Sequence, residues 1–179
     1  NGLFKDEFIS LLHTRLSIVD LESGNQPYEY KDLVITFNGE IYNHSDLRKK
    51  LKLHGYEFET VSDTEVLLKA FHFYGKSCTK YLNGMYAFCI YNKKDKSIIF
   101  CRDHFGIKPL YLYKDTHGIA FSSEIKSLLF FLNSNNINYS INDSALKEYI
   151  HNGFIEDNYL VDNISSIKPG YFLEINKNN

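Results

Sequence analysis

Apolar positions fall along this chain in two periods. Strand-length apolar runs recur at 8–12, 16–19, 33–37, 85–91, 97–101, 109–113 and 119–121. The run 33–37 is apolar on both faces, and 85–91 is wholly apolar or aromatic, as strands covered on both sides are. Asn92-Lys93-Lys94-Asp95 reads as a turn between two of these strands, and 115–118 as a turn between two more. Helical spacing appears between them. The segment 45–54 carries Leu47 and Leu51, collects Lys49, Lys50 and Lys52 late, and stops at Gly55. Ser62 opens a second helix, with Glu65 three residues on as the reciprocal arm of a capping box. Its buried face is Val66, Leu67, Ala70, Phe71 and Tyr74, and Gly75 ends it. Ile125, Leu128, Leu129 and Leu132 form a third stripe; Leu146, Tyr149 and Ile150 form a shorter fourth. The Asn-rich segment 133–140 reads as a loop. One-faced helices with two-faced strands predict layers in the order helix, sheet, sheet, helix.

Composition narrows the class. A chain of 179 residues with 44% hydrophobic content suits one domain with a real core. Lys+Arg 20 against Asp+Glu 22 gives a balanced surface, which argues against nucleic acid or a charged membrane surface as partner. No apolar stretch approaches bilayer length, and the opening residues carry no signal-peptide pattern. Cys78, Cys89 and Cys101 cannot all pair, and two of them lie inside apolar runs. Free thiols in a reducing, cytoplasmic setting are the expectation. No Cys/His metal spacing and no Gly-rich phosphate loop is present, so no metal site is expected.

Three segments carry candidate chemistry. Phe37-Asn38-Gly39-Glu40-Ile41-Tyr42-Asn43 sets an Asn amide beside a Gly N–H, which the sequence places on a turn. Both donors can address one developing alkoxide, as acyl transfer requires, and Gly39 can adopt φ > 0 or let the backbone approach a substrate. A plain Asn-Gly hairpin turn is the structural alternative. Asp63, at a helix start, is stabilised there by the helix dipole and could also receive an ammonium, together with Glu40. Arg15 is one of only three arginines among twenty cationic residues, a hint of bidentate carboxylate binding; a strand-end ion pair is the alternative. Arg102-Asp103-His104 reads as a structural connection. Cys101 and His104 are too close in sequence to face each other as a catalytic pair.

With these motifs on the page, the chain resembles the glutaminase domain of class II glutamine amidotransferases. The resemblance runs in order through His13–Asp20, Phe37–Asn43, Ser62–Val66, Leu82–Phe88, Arg102–Leu110, Ser122–Lys126 and Lys168–Phe172. Phe-Asn-Gly-Glu, where other branches have His-Asn-Gly, favours the asparagine synthetase branch. The resemblance implies an α+β fold, a four-layer αββα sandwich of the N-terminal-nucleophile hydrolase type. It implies glutamine as substrate, its carboxylate on Arg15 and the strand Leu16, Ser17, Ile18, Val19. The substrate ammonium would meet Glu40 and Asp63, and Asn38 with Gly39 would form the oxyanion hole. The nucleophile would be an N-terminal cysteine, with its own α-amine as base.

Against that pattern the chain opens on Asn1, with no Cys-Gly-Ile start and no His-Arg-Gly-Pro-Asp motif. The expectation is therefore a glutaminase domain over residues 1–179, incomplete at its N-terminus and without the catalytic cysteine. The C-terminal synthetase domain, which would bring ATP and Mg, lies outside it, and this domain itself is expected to use no cofactor. Two other readings stay open: a degenerate domain that binds glutamine or a partner without hydrolysing it, and the glutaminase domain of another class II amidotransferase. A homodimer stays open too.

Overall fold

The computed structural model describes residues 1–14, 24–116, 118–155 and 159–176. In chain order the strands and helices are β1 (Gly2–Lys5), β2 (Ser10–His13), β3 (Tyr28–Tyr30), β4 (Leu33–Ile41), α1 (His44–Leu53), α2 (Asp63–Tyr74), β5 (Gly84–Asn92) and β6 (Ile98–Arg102). They continue as β7 (Tyr111–Lys114), β8 (Ile119–Ser122), α3 (Ile125–Ser134), α4 (Asp143–Asn152), β9 (Ile164–Ser166) and β10 (Phe172–Ile175). The content is α+β with antiparallel pairing throughout. The chain divides into two compact units, residues 1–108 with 169–179, and residues 109–168.

The first unit is built on a five-stranded sheet in the order β10-β6-β5-β4-β3. Its centre is the long β4–β5 pair, in register from Leu33↔Asn92 to Ile41↔Gly84. Alternate residues Leu33, Ile35, Phe37 and Ile41 pack with Leu47 and Leu51 of α1 and with Val66, Leu67, Leu68 and Ala70 of α2. Val34 and Thr36, on the opposite face, are buried as well. That two-faced burial is why the run reads as continuously apolar. β1 and β2 form a separate hairpin, with Leu11 fully buried.

α2 ends at Gly75, as its sequence predicts, but its start differs from the capping box. The Ser62 hydroxyl accepts from Thr64 N–H at 3.0 Å, as a cap should. Glu65 does not reach back to Ser62. Its carboxylate takes the N–H groups of Glu59 and Thr60, the Thr60 hydroxyl, and Lys69 Nζ at 2.5 Å. Glu65 is fully buried and Lys69 nearly so. Burial alone would raise the Glu65 pKa; Lys69 and the N–H donors outweigh it and hold the group at about 2. The Ser62 cap stays, and the reciprocal arm of the box is lost to a buried carboxylate that satisfies a loop.

The second unit holds a three-stranded sheet, β8-β7-β9. Tyr113, Leu128, Leu132, Val161 and Ile164 form its core, with Ile125 and Leu129 of the predicted stripe packed beside them. The fourth stripe is corrected. On α4 only Ala145 is buried, while Leu146, Tyr149 and Ile150 are exposed. The apolar spacing there marks a face that the described residues leave uncovered.

Candidate functional site

Asn38 and Gly39 do not form a turn. β4 continues through both, pairing Asn38 with Ala87, Gly39 with Tyr86 and Glu40 with Met85. Gly39 has φ +150°, and a Cβ there would lie 2.1 Å from Met85 O. Gly84 is equally constrained on the other strand, where a Cβ would lie 2.2 Å from Glu40 O. The glycine is thus required by the close approach of β5, and the hairpin reading gives way to a continuous strand.

The edge of β4 beyond β3 is where the chemistry collects. The β3 ladder stops at Tyr28↔Ile35. Past it, Phe37 N–H is taken by Gln26 Oε1 at 2.6 Å, and Phe37 O lies 3.2 Å from His13 Nε2. Ile41 N–H is taken by Asp63 Oδ2 at 3.0 Å. In an antiparallel strand every second residue directs its N–H and C=O to the same side. Gly39, midway between Phe37 and Ile41, therefore directs its N–H to this edge, away from β5. Side chains cap its neighbours on either side, and none of the described side chains hydrogen-bonds the Gly39 N–H. Asn38 and Glu40 share the strand face opposite α1 and α2; Asn38 is half-buried and Glu40 exposed.

Asp63 is the first residue of α2, where the helix dipole favours its charge. Only its Oδ2 is engaged among the described residues, so Oδ1 remains for a cation. Two features hold it there. Arg48 donates to Thr60 O at 2.6 Å and Ser62 O at 2.9 Å, with its guanidinium over the Phe58 ring. Asn43 donates to Tyr81 O and accepts from Asn83 N–H, fixing the turn after β4 to the segment before β5. The site thus brings Asn38, Gly39, Glu40 and Asp63 to one end of β4. Arg15, Leu16, Ser17, Ile18 and Val19 lie outside the described residues.

The other polar segment is structural, as its sequence suggests. Asp103 accepts the N–H groups of Phe105, Ile107 and Lys108 at 3.0 Å and of Tyr86 at 3.3 Å. Burial opposes its ionisation, but these donors together hold its pKa below the ordinary carboxylate value. Arg102 donates to Lys108 O and Gly106 O. Cys101 is buried on β6 with its thiol pushed up to about 12, while His104 is exposed. Cys78 is likewise raised to about 12 by burial, and Cys89 is raised by the same cause. None of the three is a thiolate near neutral pH.

A family model described as a glutamine amidotransferase domain matches residues 1–179. The chain belongs to that family. It is 41% identical over 173 residues to asparagine synthetase [glutamine-hydrolyzing] 1 of Bacillus subtilis, covering 95% of this chain and 27% of the relative. It is 42% identical over 176 residues to putative asparagine synthetase [glutamine-hydrolyzing] 2 of Methanocaldococcus jannaschii, covering 88% and 33%. The chain therefore spans about a third or less of these relatives. Among solved structures, the glutamine phosphoribosylpyrophosphate amidotransferase of B. subtilis, complexed with ADP and GMP, superposes with TM-score 0.62. That match has 22% identity and covers 93% of this chain and 32% of the other. It shows the fold, which is the N-terminal-nucleophile hydrolase type.

Sequence reasoning assigned no role to four residues that shape this end of β4: His13, Gln26, Arg48 and Asn43. Each binds at least one backbone group. The two described arginines each clamp two backbone carbonyls; the carboxylate reading concerns Arg15, which lies outside the described residues. No helix among the described residues is long and apolar enough to cross a membrane, and none of their His, Cys, Asp and Glu side chains form a group of three that could hold a metal.

Proposed function

We propose that residues 1–179 are the glutamine-hydrolysing domain of a cytoplasmic asparagine synthetase. The observation that carries this reading is the Gly39 N–H at the edge of β4, between two capped neighbours and beside Asn38, with Asp63 two residues further along the same edge. A donor so placed suits an oxyanion, and carboxylates beside it suit the α-ammonium of an amino acid. Glutamine would place its carboxylate on Arg15 and the segment Leu16 to Val19, its ammonium at Glu40 and Asp63, and its side-chain carbonyl at Asn38 and Gly39. A thiolate would attack that carbonyl carbon, the C–N bond would break to release ammonia, and water would cleave the thioester to glutamate. An α-amine titrating near pH ~8 would take the thiol proton.

The raised pKa values of Cys78 and Cys101 and the burial of all three cysteines support a nucleophile supplied from outside residues 1–179. The relatives' greater length and printed names support a further domain that makes asparagine; in this reading it uses the ammonia, with ATP and Mg, to convert aspartate. Ammonia release decides the matter. The full-length protein is expected to release ammonia from glutamine, and residues 1–179 alone to release none above a buffer blank. Turnover by the isolated segment would revive an internal thiol; a full-length protein without turnover would favour a domain that only binds.

A further inference from the structure

The register that pairs Tyr28 with Ile35 and Tyr30 with Leu33 would set residue 26 opposite Phe37. At that position the chain offers a side chain where the ladder would offer backbone. Gln26 Oε1 accepts Phe37 N–H at 2.6 Å, and Gln26 Nε2 donates to the Thr64 hydroxyl at 3.2 Å. The orientation of the amide is fixed: a backbone N–H can only donate, so the carbonyl end must face β4 and the NH2 must face α2. Gln26 is 8% exposed and Thr64 4%. Both bonds lie out of water, where a lost partner strands a buried polar group. Asn38 follows Phe37, and Asp63 precedes Thr64. One side chain thus ties the strand that carries the oxyanion donors to the helix start that carries the ammonium partner.

We propose that Gln26 is a positioning residue for glutamine hydrolysis, fixing the separation between the Asn38–Gly39 donors and the Asp63 carboxylate. This rests on the site assignment above. Gln26 touches no reacting atom; it acts through Phe37 on one side and Thr64 on the other. The two ends differ in consequence. The Phe37 end sets donors used in the transition state, which govern kcat; the Thr64 end sets a ground-state contact, which governs KM.

The test is steady-state kinetics on the full-length protein, with glutamine and with free ammonia as nitrogen source, beside the thermal midpoint. Gln26→Met keeps the volume and removes both bonds. It should lower kcat with glutamine by ~10-fold, less than the ~10²-fold that a full ~1 Å misplacement can cost, and raise KM several-fold. Gln26→Glu keeps an acceptor for Phe37 and can accept the Thr64 hydroxyl proton, so it should recover most of kcat. Thr64→Val cuts one arm and should raise KM alone. Ammonia-supported synthesis should be unchanged in all three. If Gln26→Met does not fold, the KM-only effect of Thr64→Val and the recovery in Gln26→Glu remain as the readouts. An active wild type with Gln26→Met at wild-type kcat and KM, or parallel loss of both reactions, overturns the inference alone. A wild type without glutamine hydrolysis overturns the site assignment and this inference with it.

Discussion

Two polar segments interrupt the apolar strands of the first unit, and they use their donors in opposite ways. From Arg102 to Lys108, Asp103 collects four backbone N–H groups and Arg102 fills two carbonyls, so the segment satisfies itself. From Phe37 to Ile41, side chains cap the first and last N–H on the edge of β4, and the Gly39 N–H stands between them. Density of charged residues does not separate the two. A backbone donor that none of the described side chains takes, between neighbours that are tied down, does.

The sharpest break of this contrast is Asp103→Ala. It removes one acceptor from four N–H groups at a residue only 1% exposed, and should destabilise the fold by ~3–5 kcal/mol, read by chemical denaturation. Asp103→Asn, which keeps one acceptor oxygen, should recover part of the loss. A cost below ~1 kcal/mol would mean that the segment does not depend on Asp103.

Next comes acid stability. Free Glu titrates at 4.5 and Glu65 at about 2 in the fold. A carboxylate with a lowered folded pKa stabilises fully above its unfolded value and loses that contribution as pH falls through the folded one. Stability should therefore decline between pH 4.5 and 2, and Glu65→Gln should flatten the decline while lowering stability at pH 7. An unchanged pH profile in the variant would remove Glu65 from the account.

A smaller effect is expected at the clamp behind Asp63. Arg48→Ala frees Thr60 O and Ser62 O, loosening the α2 start. The KM for glutamine should rise ~5–10-fold with kcat nearly kept, since a ground-state contact is disturbed. Arg48→Lys should recover little, because one ammonium cannot reproduce the planar fork across two carbonyls. A fall in kcat at constant KM would place Arg48 elsewhere in the mechanism.

The strong periodicities were legible. The 85–91 and 97–101 strands, the 45–54 and Ser62–Gly75 helices, and the hairpin across 115–118 all stand where apolar spacing puts them. The short strands β1, β3 and β10 were not: three or four residues with mixed burial carry too little pattern. The Asn38-Gly39 pair misread as a turn because the dipeptide favours one in isolation, whereas pairing with β5 over nine residues overrides it. Glu65 misled similarly, since the loop 59–60 and Lys69 compete for the oxygens that a capping box would use. The nearness of Asn38, Gly39 and Glu40 to one another was legible because they are consecutive; that Asp63 joins them follows from its bond to Ile41 N–H at the end of β4. Gln26 and His13 were not legible, because what they bind is backbone defined only by the register of β4.

The account turns on the oxyanion role of Asn38, and the most direct measurement compares Asn38→Ala with wild type in the full-length protein under two nitrogen sources. With glutamine, kcat should fall by ~10²–10³-fold, the usual cost of one oxyanion donor. With free ammonia, asparagine formation should stay at the wild-type rate, because no tetrahedral intermediate forms at this site. Equal loss of both reactions, or no loss with glutamine, would contradict the assignment.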